Sequence, residues 1–280
     1  MEIVSTVREL TNFIESKKKQ NQTIGFVPTM GALHRGHLSL VSQAASQTDV
    51  VVVSIFVNPT QFNNAEDLKN YPRTLERDAQ LLTDTKCQLI FAPTVAEIYP
   101  VKDDRKFDFG ALEQVMEGRF RPGHFNGVAQ VVSRLFALVQ PNKAFFGAKD
   151  FQQLAIVRQM SAKLMPEIDI VACPIIREED GLAISSRNTL LTPEMRKKSP
   201  VIARALSEST KFVTEKSVEE VIGWVTEQIN RVDGFEVEYF SIVDSATLQP
   251  VNDWHEGDGI TGCIAVYAGK IRLIDNVTYK

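Results

Sequence analysis

Two largely apolar runs that do not alternate, Val50–Val57 (VVVVSIFV, broken only by Ser54) and Cys87–Ala92 (CQLIFA), constrain the fold of this chain more than any other feature. A strand with one wet face alternates apolar and polar side chains. Continuous runs rich in β-branched residues instead fit a parallel sheet covered by helices on both faces. Parallel pairing needs crossover connections, and helical spacing supplies them at Leu38–Ser46, Thr74–Thr83, Val128–Val139 and Asp150–Leu164. Further strands are predicted at Thr23–Val27, ended by Pro28, at Lys143–Phe146 and at Ile168–Cys173. Thr6 and Glu9 form a capping-box pair ahead of Val7, Leu10, Phe13 and Ile14, so an amphipathic helix is expected to open the chain. This alternation predicts an α/β fold, a Rossmann-like open parallel sheet with helices on both faces, whose ligands gather at the carboxyl ends of the strands.

From Ile175 the pattern changes to longer helical stretches, Thr192–Thr214 and Ser217–Val232, followed by strands at Phe235–Val243, Cys263–Ala268 and Ile271–Ile274. The expected organisation is therefore a nucleotide- and substrate-binding domain over residues 1–175. A smaller C-terminal α+β domain over residues 176–280 would close over the site.

Charge and cysteine usage narrow the function classes. Lys+Arg 31 against Asp+Glu 35 leaves a net charge of -4 and a pI of about 5.7, so no general electrostatic hold on nucleic acid or anionic lipid is expected. Any phosphate recognition must be local. Cys87, Cys173 and Cys263 are odd in number and far apart, which argues against a disulfide framework or a zinc knuckle. No apolar run approaches the ~20 residues of a membrane span, and the first residues carry no leader pattern, so the cytoplasm is the expected compartment.

Most of the residues with chemical potential lie just after the predicted strands, with DGLAISSRN at the expected domain join. Pro28–His37 (PTMGALHRGH) contains H-x-G-H, with His34 and His37 one helical turn apart, Gly36 between them, and a helix N-terminus to favour an anion. It offers phosphate binding without a P-loop, since neither a Walker loop nor a convincing G-x-G-x-x-G occurs. Two His three apart could also bind zinc, but no third ligand follows at the required spacing. Asn58 and Gln61 in NPTQF supply amides suited to a hydroxylated or carboxylate substrate. In FFGAKDFQQ, Lys149 is a point charge for phosphate, Asp150 could cap the helix or meet ribose or metal, and Gln153 lies one turn on. In DGLAISSRN, Ser185, Ser186 and Arg187 can grip a polyphosphate. RPGHFNGV adds Arg121 and His124, for which structural capping competes with a binding role, while His255 reads as a surface turn.

Taken together, PTMGALHRGH, NPTQF, EDLKNYPR, RPGHFNGV, FFGAKDFQQ and DGLAISSRN closely resemble the pantoate-beta-alanine ligase (pantothenate synthetase) family of the H-x-G-H nucleotidyltransferase superfamily. The likeness runs through most of residues 1–190 and weakens past residue 200. It implies an adenylate-forming ligase that joins D-pantoate to β-alanine, using ATP with Mg²⁺ and releasing AMP and pyrophosphate, in a cytoplasmic homodimer. It further implies that Met30, Gly31, Ala32, Leu33, His34, Arg35, Gly36 and His37 bind ATP, with His37 as proton donor. Gly147, Ala148, Lys149, Asp150, Ile176, Ile184, Ser185, Ser186 and Arg187 would also bind ATP. Gln61 and Gln153 would hold pantoate, Gln61 would also meet β-alanine, and Asn58 would stand near the substrates. Ile184 replaces the Met or Leu of many relatives, which bears on nucleotide selectivity, and Ala148 falls at a variable position. His34, His37, Lys149 and Arg187 would carry the catalytic charge; the residues that ligate Mg²⁺ are not fixed by the sequence.

Two other readings are open. A nucleotidyltransferase that keeps the nucleotide in its product is supported by H-x-G-H alone, and an ATP-sensing module without turnover would be separated by an activity assay. The polar segment Asn63–Arg77 offers either a lid or an interface element.

Overall fold

The computed structural model describes residues 1–63 and 65–280; Asn64, within the Asn63–Arg77 segment, lies outside the described residues. In chain order the elements are β1 (Glu2–Val4), α1 (Val7–Lys19), β2 (Ile24–Thr29), α2 (Arg35–Gln47), β3 (Val50–Ile55), α3 (Ala65–Asn70), α4 (Leu75–Thr83), β4 (Cys87–Phe91), α5 (Val95–Ile98), α6 (Met116–Phe120), α7 (His124–Val139), β5 (Lys143–Gly147), α8 (Phe151–Leu164) and β6 (Asp169–Cys173). There follow α9 (Pro193–Lys198), α10 (Val201–Ser209), α11 (Val218–Asn230), β7 (Phe235–Asp244), β8 (Ile260–Ala268) and β9 (Ile271–Thr278). They form two compact units. The first comprises residues 1–109, 121–148 and 153–174; the second comprises 110–120, 149–152 and 175–280.

The first unit is built on a six-stranded sheet in the order β1-β4-β3-β2-β5-β6, with every pairing parallel. Alternation along the strands shows why the apolar runs are continuous. Val27, Val51, Val53, Ile90 and Phe145 pack in one cluster with Leu40, Val41 and Ala44 of α2 and Leu82 of α4. Their neighbours face the other way: Phe26 and Phe146 both meet Phe136 of α7 edge-on, with ring centroids 6.3 Å apart in each pair. Helices therefore cover both faces, and the middle of each central strand is shut off from water. The opening helix α1 has both halves of its capping box in place, buries Leu10, Phe13 and Ile14, and sets Lys17, Lys18 and Lys19 against the negative end of its dipole.

Three local expectations change. The chain opens on a short strand rather than on a helix, because Glu2–Val4 pairs with Leu89–Phe91 at the sheet edge. Pro28 does not end its strand: β5 pairs β2 only at Gly25 and Phe26, so Pro28 is bordered by β3 alone and the strand runs on to Thr29. The expected helix Thr192–Thr214 is broken into α9, α10 and a 3₁₀ turn at Thr210–Phe212; Pro200, which has no N–H to continue a helical ladder, lies at the break.

The second unit carries an antiparallel sheet, β7-β8-β9, whose inner residues Phe240, Ile264 and Leu273 pack against Leu206, Val221 and Val225. Compared with an uninterrupted division at residue 175, it also takes in 110–120 and 149–152, and polar contacts explain why. The Arg272 guanidinium forks onto the Glu117 carboxylate at 2.9 and 2.6 Å and also pairs with Glu238. Burial works against that cation, but the ion pairs with Glu117 and Glu238 outweigh it and hold its pKa above the ordinary value. The Glu117 amide in turn donates to Gln152, whose side-chain amide donates to the Leu112 and Val115 carbonyls. The sequence separates these segments; one buried polar network joins them.

None of the described helices is long and apolar enough to cross a membrane. All three cysteines are buried and free of disulfides. Burial pushes the Cys87 and Cys173 thiols up to about 11, so almost none of either is thiolate near neutral pH. An uncharged disulfide reagent at pH 7.5 is expected to leave the native protein essentially unlabelled and to titrate three thiols in denaturant; rapid native labelling would contradict this burial.

Candidate active site

Strand order reverses at β2. From it the chain moves through β3 and β4 toward one edge, then returns to β5 and β6 on the other side. Such a switch point opens a crevice at the carboxyl ends of the two diverging strands, here β2 and β5. The motif Pro28–His37 leaves β2, NPTQF leaves β3, Gly147–Asp150 leaves β5, and the segment leading to Ile176 leaves β6.

In the first unit, the loop after β2 turns through two left-handed residues, Gly31 at φ +82° and Ala32 at φ +50°. Ala32 has a Cβ and so holds this conformation at a cost that something must offset. The Asp78 carboxylate does so. It is fully buried and accepts the Ala32 amide at 2.9 Å, the Leu33 amide at 2.8 Å and the Thr74 hydroxyl at 3.1 Å. Gly31 is needed both for its φ and for space, since a Cβ there would lie 3.1 Å from Asp78 Oδ2.

The two histidines then lie side by side at the start of α2, rings stacked with centroids 4.0 Å apart. His37 Nδ1 accepts the His34 amide at 3.3 Å, so the neutral His37 ring carries its proton on Nε2. Gly36 has a reason the sequence did not disclose: a Cβ there would stand 2.9 Å from the His34 ring. Close approach of backbone and imidazole, and not only room for a ligand, requires glycine.

Asn58 and Gln61 belong to one buried cluster. The Asn58 amide donates to Gln61 Oε1 and to the Gly127 carbonyl, each at 3.1 Å, and Tyr99 donates to Asn58 Oδ1 at 2.9 Å. Gln61 Nε2 points to Met30 Sδ at 3.2 Å, which joins the β3 turn to the H-x-G-H loop. Of the RPGHFNGV residues, buried His124 sets Nδ1 2.8 Å from the Gln61 carbonyl, and a Cβ on Gly127 would collide with the Thr60 carbonyl. That motif supports the turn that carries Asn58 and Gln61. Gln153 is half-buried on the first turn of α8, whereas its neighbour Gln152 is buried and committed to structure.

Gly147 and Ala148 belong to the first unit, whereas the second unit holds Lys149, Asp150, Ile176 and Ile184–Arg187. Lys149 Nζ lies 3.3 Å from Asp150 Oδ2. The Ile184 amide donates to the Ile176 carbonyl at 3.0 Å, and Arg177 bridges Ala183, so a small hairpin brings residues 176 and 184 side by side. Buried Ile184 leads directly into Ser185, whose hydroxyl accepts the Arg187 amide at 3.2 Å and starts a 3₁₀ turn, Ser186–Leu190. Among the described residues no group of three or more His, Cys, Asp or Glu converges to hold a metal ion.

Sequence reasoning missed Asp78, Tyr99, Asp275 and Asn276. Asp78 did leave a trace, because it sets a charge on the face of α4 that carries Ala79 and buried Leu82. The other three act only through tertiary contact.

A family model described as pantoate-beta-alanine ligase matches residues 2–278. The pantothenate synthetase of Porphyromonas gingivalis is 53% identical over 280 residues, covering 100% of both chains, and that of Phocaeicola vulgatus is 51% identical over 281 residues with the same coverage. Among solved structures, pantothenate synthetase from Thermus thermophilus superposes with a TM-score of 0.93 at 47% identity, covering 100% of this chain and 99% of that one. Pantoate-beta-alanine ligase from Francisella tularensis, crystallised with beta-gamma ATP and β-alanine, gives a TM-score of 0.81 at 35% identity, covering 100% and 98%.

The Asp78 clamp yields a direct prediction. Asp78→Asn keeps the shape but turns an amino group toward one of two backbone N–H donors, so stability should fall by about 1.5–3 kcal/mol. Denaturant unfolding with an unchanged m-value would show it; an unshifted midpoint would mean the loop does not depend on this carboxylate.

Proposed function

The chain belongs to the pantoate-beta-alanine ligase family, and from that premise we propose that it condenses D-pantoate with β-alanine, consuming ATP and releasing AMP and pyrophosphate. The observation that carries the reading is the His34–His37 pair, fixed at the sheet's switch point with the His37 proton on Nε2.

In the first step a carboxylate oxygen of pantoate attacks the α-phosphorus of ATP, the bond to the β-phosphate oxygen breaks, and pyrophosphate leaves with the electron pair. Little covalent help is needed; charge must be placed where the leaving group develops it. His37 Nε2–H donates there, with His34, Lys149 and Arg187 supplying further positive potential and the α2 N-terminus adding its dipole. Gln61 and Gln153 orient pantoate, Ile176 and Ile184 provide an apolar surface for the base, and the 30–37 and 184–187 backbones bind phosphate and ribose. In the second step the β-alanine amine attacks the acyl carbon of pantoyl adenylate, the acyl–oxygen bond breaks, AMP departs and the amine loses a proton. No protein nucleophile is required. Mg²⁺ would arrive with ATP as the counter-ion of its phosphates, and Asp150 is the carboxylate of the nucleotide segments suited to share it. We extend the proposal to a cytoplasmic homodimer, as the resemblance implies.

Exchange of labelled pyrophosphate into ATP, dependent on pantoate and independent of β-alanine, tests the adenylate step. His37→Ala should lower that exchange on the order of 10²-fold, the loss typical of one preorganised donor; a near-wild-type rate would remove His37 from its role. Gln153→Ala should raise KM for pantoate well above any change in KM for ATP, and equal changes would show that Gln153 is misassigned.

A further inference from the structure

Two segments of the second unit that the proposed function assigns to ATP, Lys149–Asp150 and Ile176–Arg187, are far apart in sequence. Both are fastened to the same pair of residues on β9. Asn276 is buried, and its side-chain amide donates to the Lys149 carbonyl at 3.0 Å. Asp275, also buried, takes the Arg177 guanidinium in a fork, Nη1 to Oδ2 at 2.6 Å and Nη2 to Oδ1 at 2.9 Å. The same guanidinium donates onward to the Gly181 carbonyl at 3.2 Å and the Asn276 carbonyl at 3.4 Å. Gly181, at φ +91°, is the turn of the hairpin that sets Ile176 against Ile184.

The arrangement follows from strand geometry. Consecutive side chains on a strand point to opposite sides, so neighbouring residues can hold two different segments. A buried carboxylate is stable only with a cation and further donors, and Asp275 has the Arg177 fork and the Asn276 amide, the latter at 2.8 Å. The fork therefore fixes the hairpin as a rigid attachment. The bond from Asn276 fixes the orientation of the peptide joining Lys149 to Asp150, and with it the direction from which the lysine side chain departs.

We propose that Asp275 and Asn276 are positioning residues for ATP, setting the placement of the Lys149 ammonium relative to the Ser185–Arg187 donors. The inference rests on the reading of those two segments as nucleotide-binding. It assigns a functional load to β9, in the part of the chain where the sequence motifs had run out.

The test measures pantoate-dependent ATP–pyrophosphate exchange, KM for β-alanine in the full reaction, and Tm, for Asn276→Asp, Asn276→Ser, Arg177→Lys and Lys149→Ala in the full-length protein. Asn276→Asp replaces the donor with an oxygen facing the Lys149 carbonyl, and it should lower kcat/KM for ATP about tenfold or more. KM for β-alanine should stay within about twofold and Tm within a few degrees. Asn276→Ser, too short to span to that carbonyl, repeats the test with less disturbance, and Arg177→Lys, which keeps the charge but loses the fork, should move ATP kinetics in the same direction. Wild-type ATP kinetics in both Asn276 variants alongside a large loss in Lys149→Ala would overturn the proposal while leaving the ATP assignment standing. Wild-type kinetics in Lys149→Ala as well would overturn the assignment and the proposal together. A fall in every parameter in step with Tm would show only a structural role and equally overturn it.

Discussion

The reversal of strand order at β2 is the constraint on which the rest of this molecule depends. A parallel strand inside a sheet has neighbours on both sides, and where the chain runs outward first one way and then the other, the loops at the carboxyl ends must part. Here they part between β2 and β5; the chain leaves β2 through its H-x-G-H loop and leaves β5 at Gly147. The covered faces follow from the same geometry, since crossovers must return over the sheet; that is why Val50–Val53 can be four valines in a row, all buried.

A crevice alone does not catalyse. Its donors must hold their directions before the substrate arrives, because reorganisation during the reaction would forfeit much of the electrostatic benefit. Buried polar groups supply that rigidity here. Asp78 holds two amides of a loop bent through left-handed Gly31 and Ala32, Asn58 and His124 hold the Gln61 turn, and Asp275 and Asn276 hold the second unit's two segments. Each is a polar side chain removed from water; Asp78, Asn58, His124 and Asn276 bond to backbone, and Asp275 takes the Arg177 side chain. Such groups are costly unless satisfied, and their satisfaction leaves each loop essentially one conformation.

The sequence disclosed the periodic parts of the fold and the chemical parts of the site. Strands β3 and β4, helices α2 and α8, and the Thr6–Glu9 capping box were legible because local pattern and tertiary role agree there. The H-x-G-H, NPTQ and GAKD residues stood out as candidates because unusual side chains follow strands directly, and the SSR residues because hydroxyls and a guanidinium cluster beyond β6. Less legible were features that a neighbour decides. Pro28 remains in a strand because β5 stops pairing at Phe26, and Glu2–Val4 is a strand only because β4 offers an edge. Gly36 answers to the His34 ring as well as to any ligand. Asp275 and Asn276 lie where motif similarity had faded, and their partners are about a hundred residues or more away in sequence, as the pairing of Asp275 with Arg177 illustrates.

The central claim is that a carboxylate attacks the α-phosphorus of ATP and is then passed to an amine. The most direct measurement supplies D-pantoate labelled with ¹⁸O in its carboxylate, together with ATP, Mg²⁺ and β-alanine, and determines the isotopic mass of each product. The account predicts one ¹⁸O in AMP for each pantothenate formed and none in pyrophosphate. Label in pyrophosphate or inorganic phosphate, or ADP in place of AMP, would contradict it.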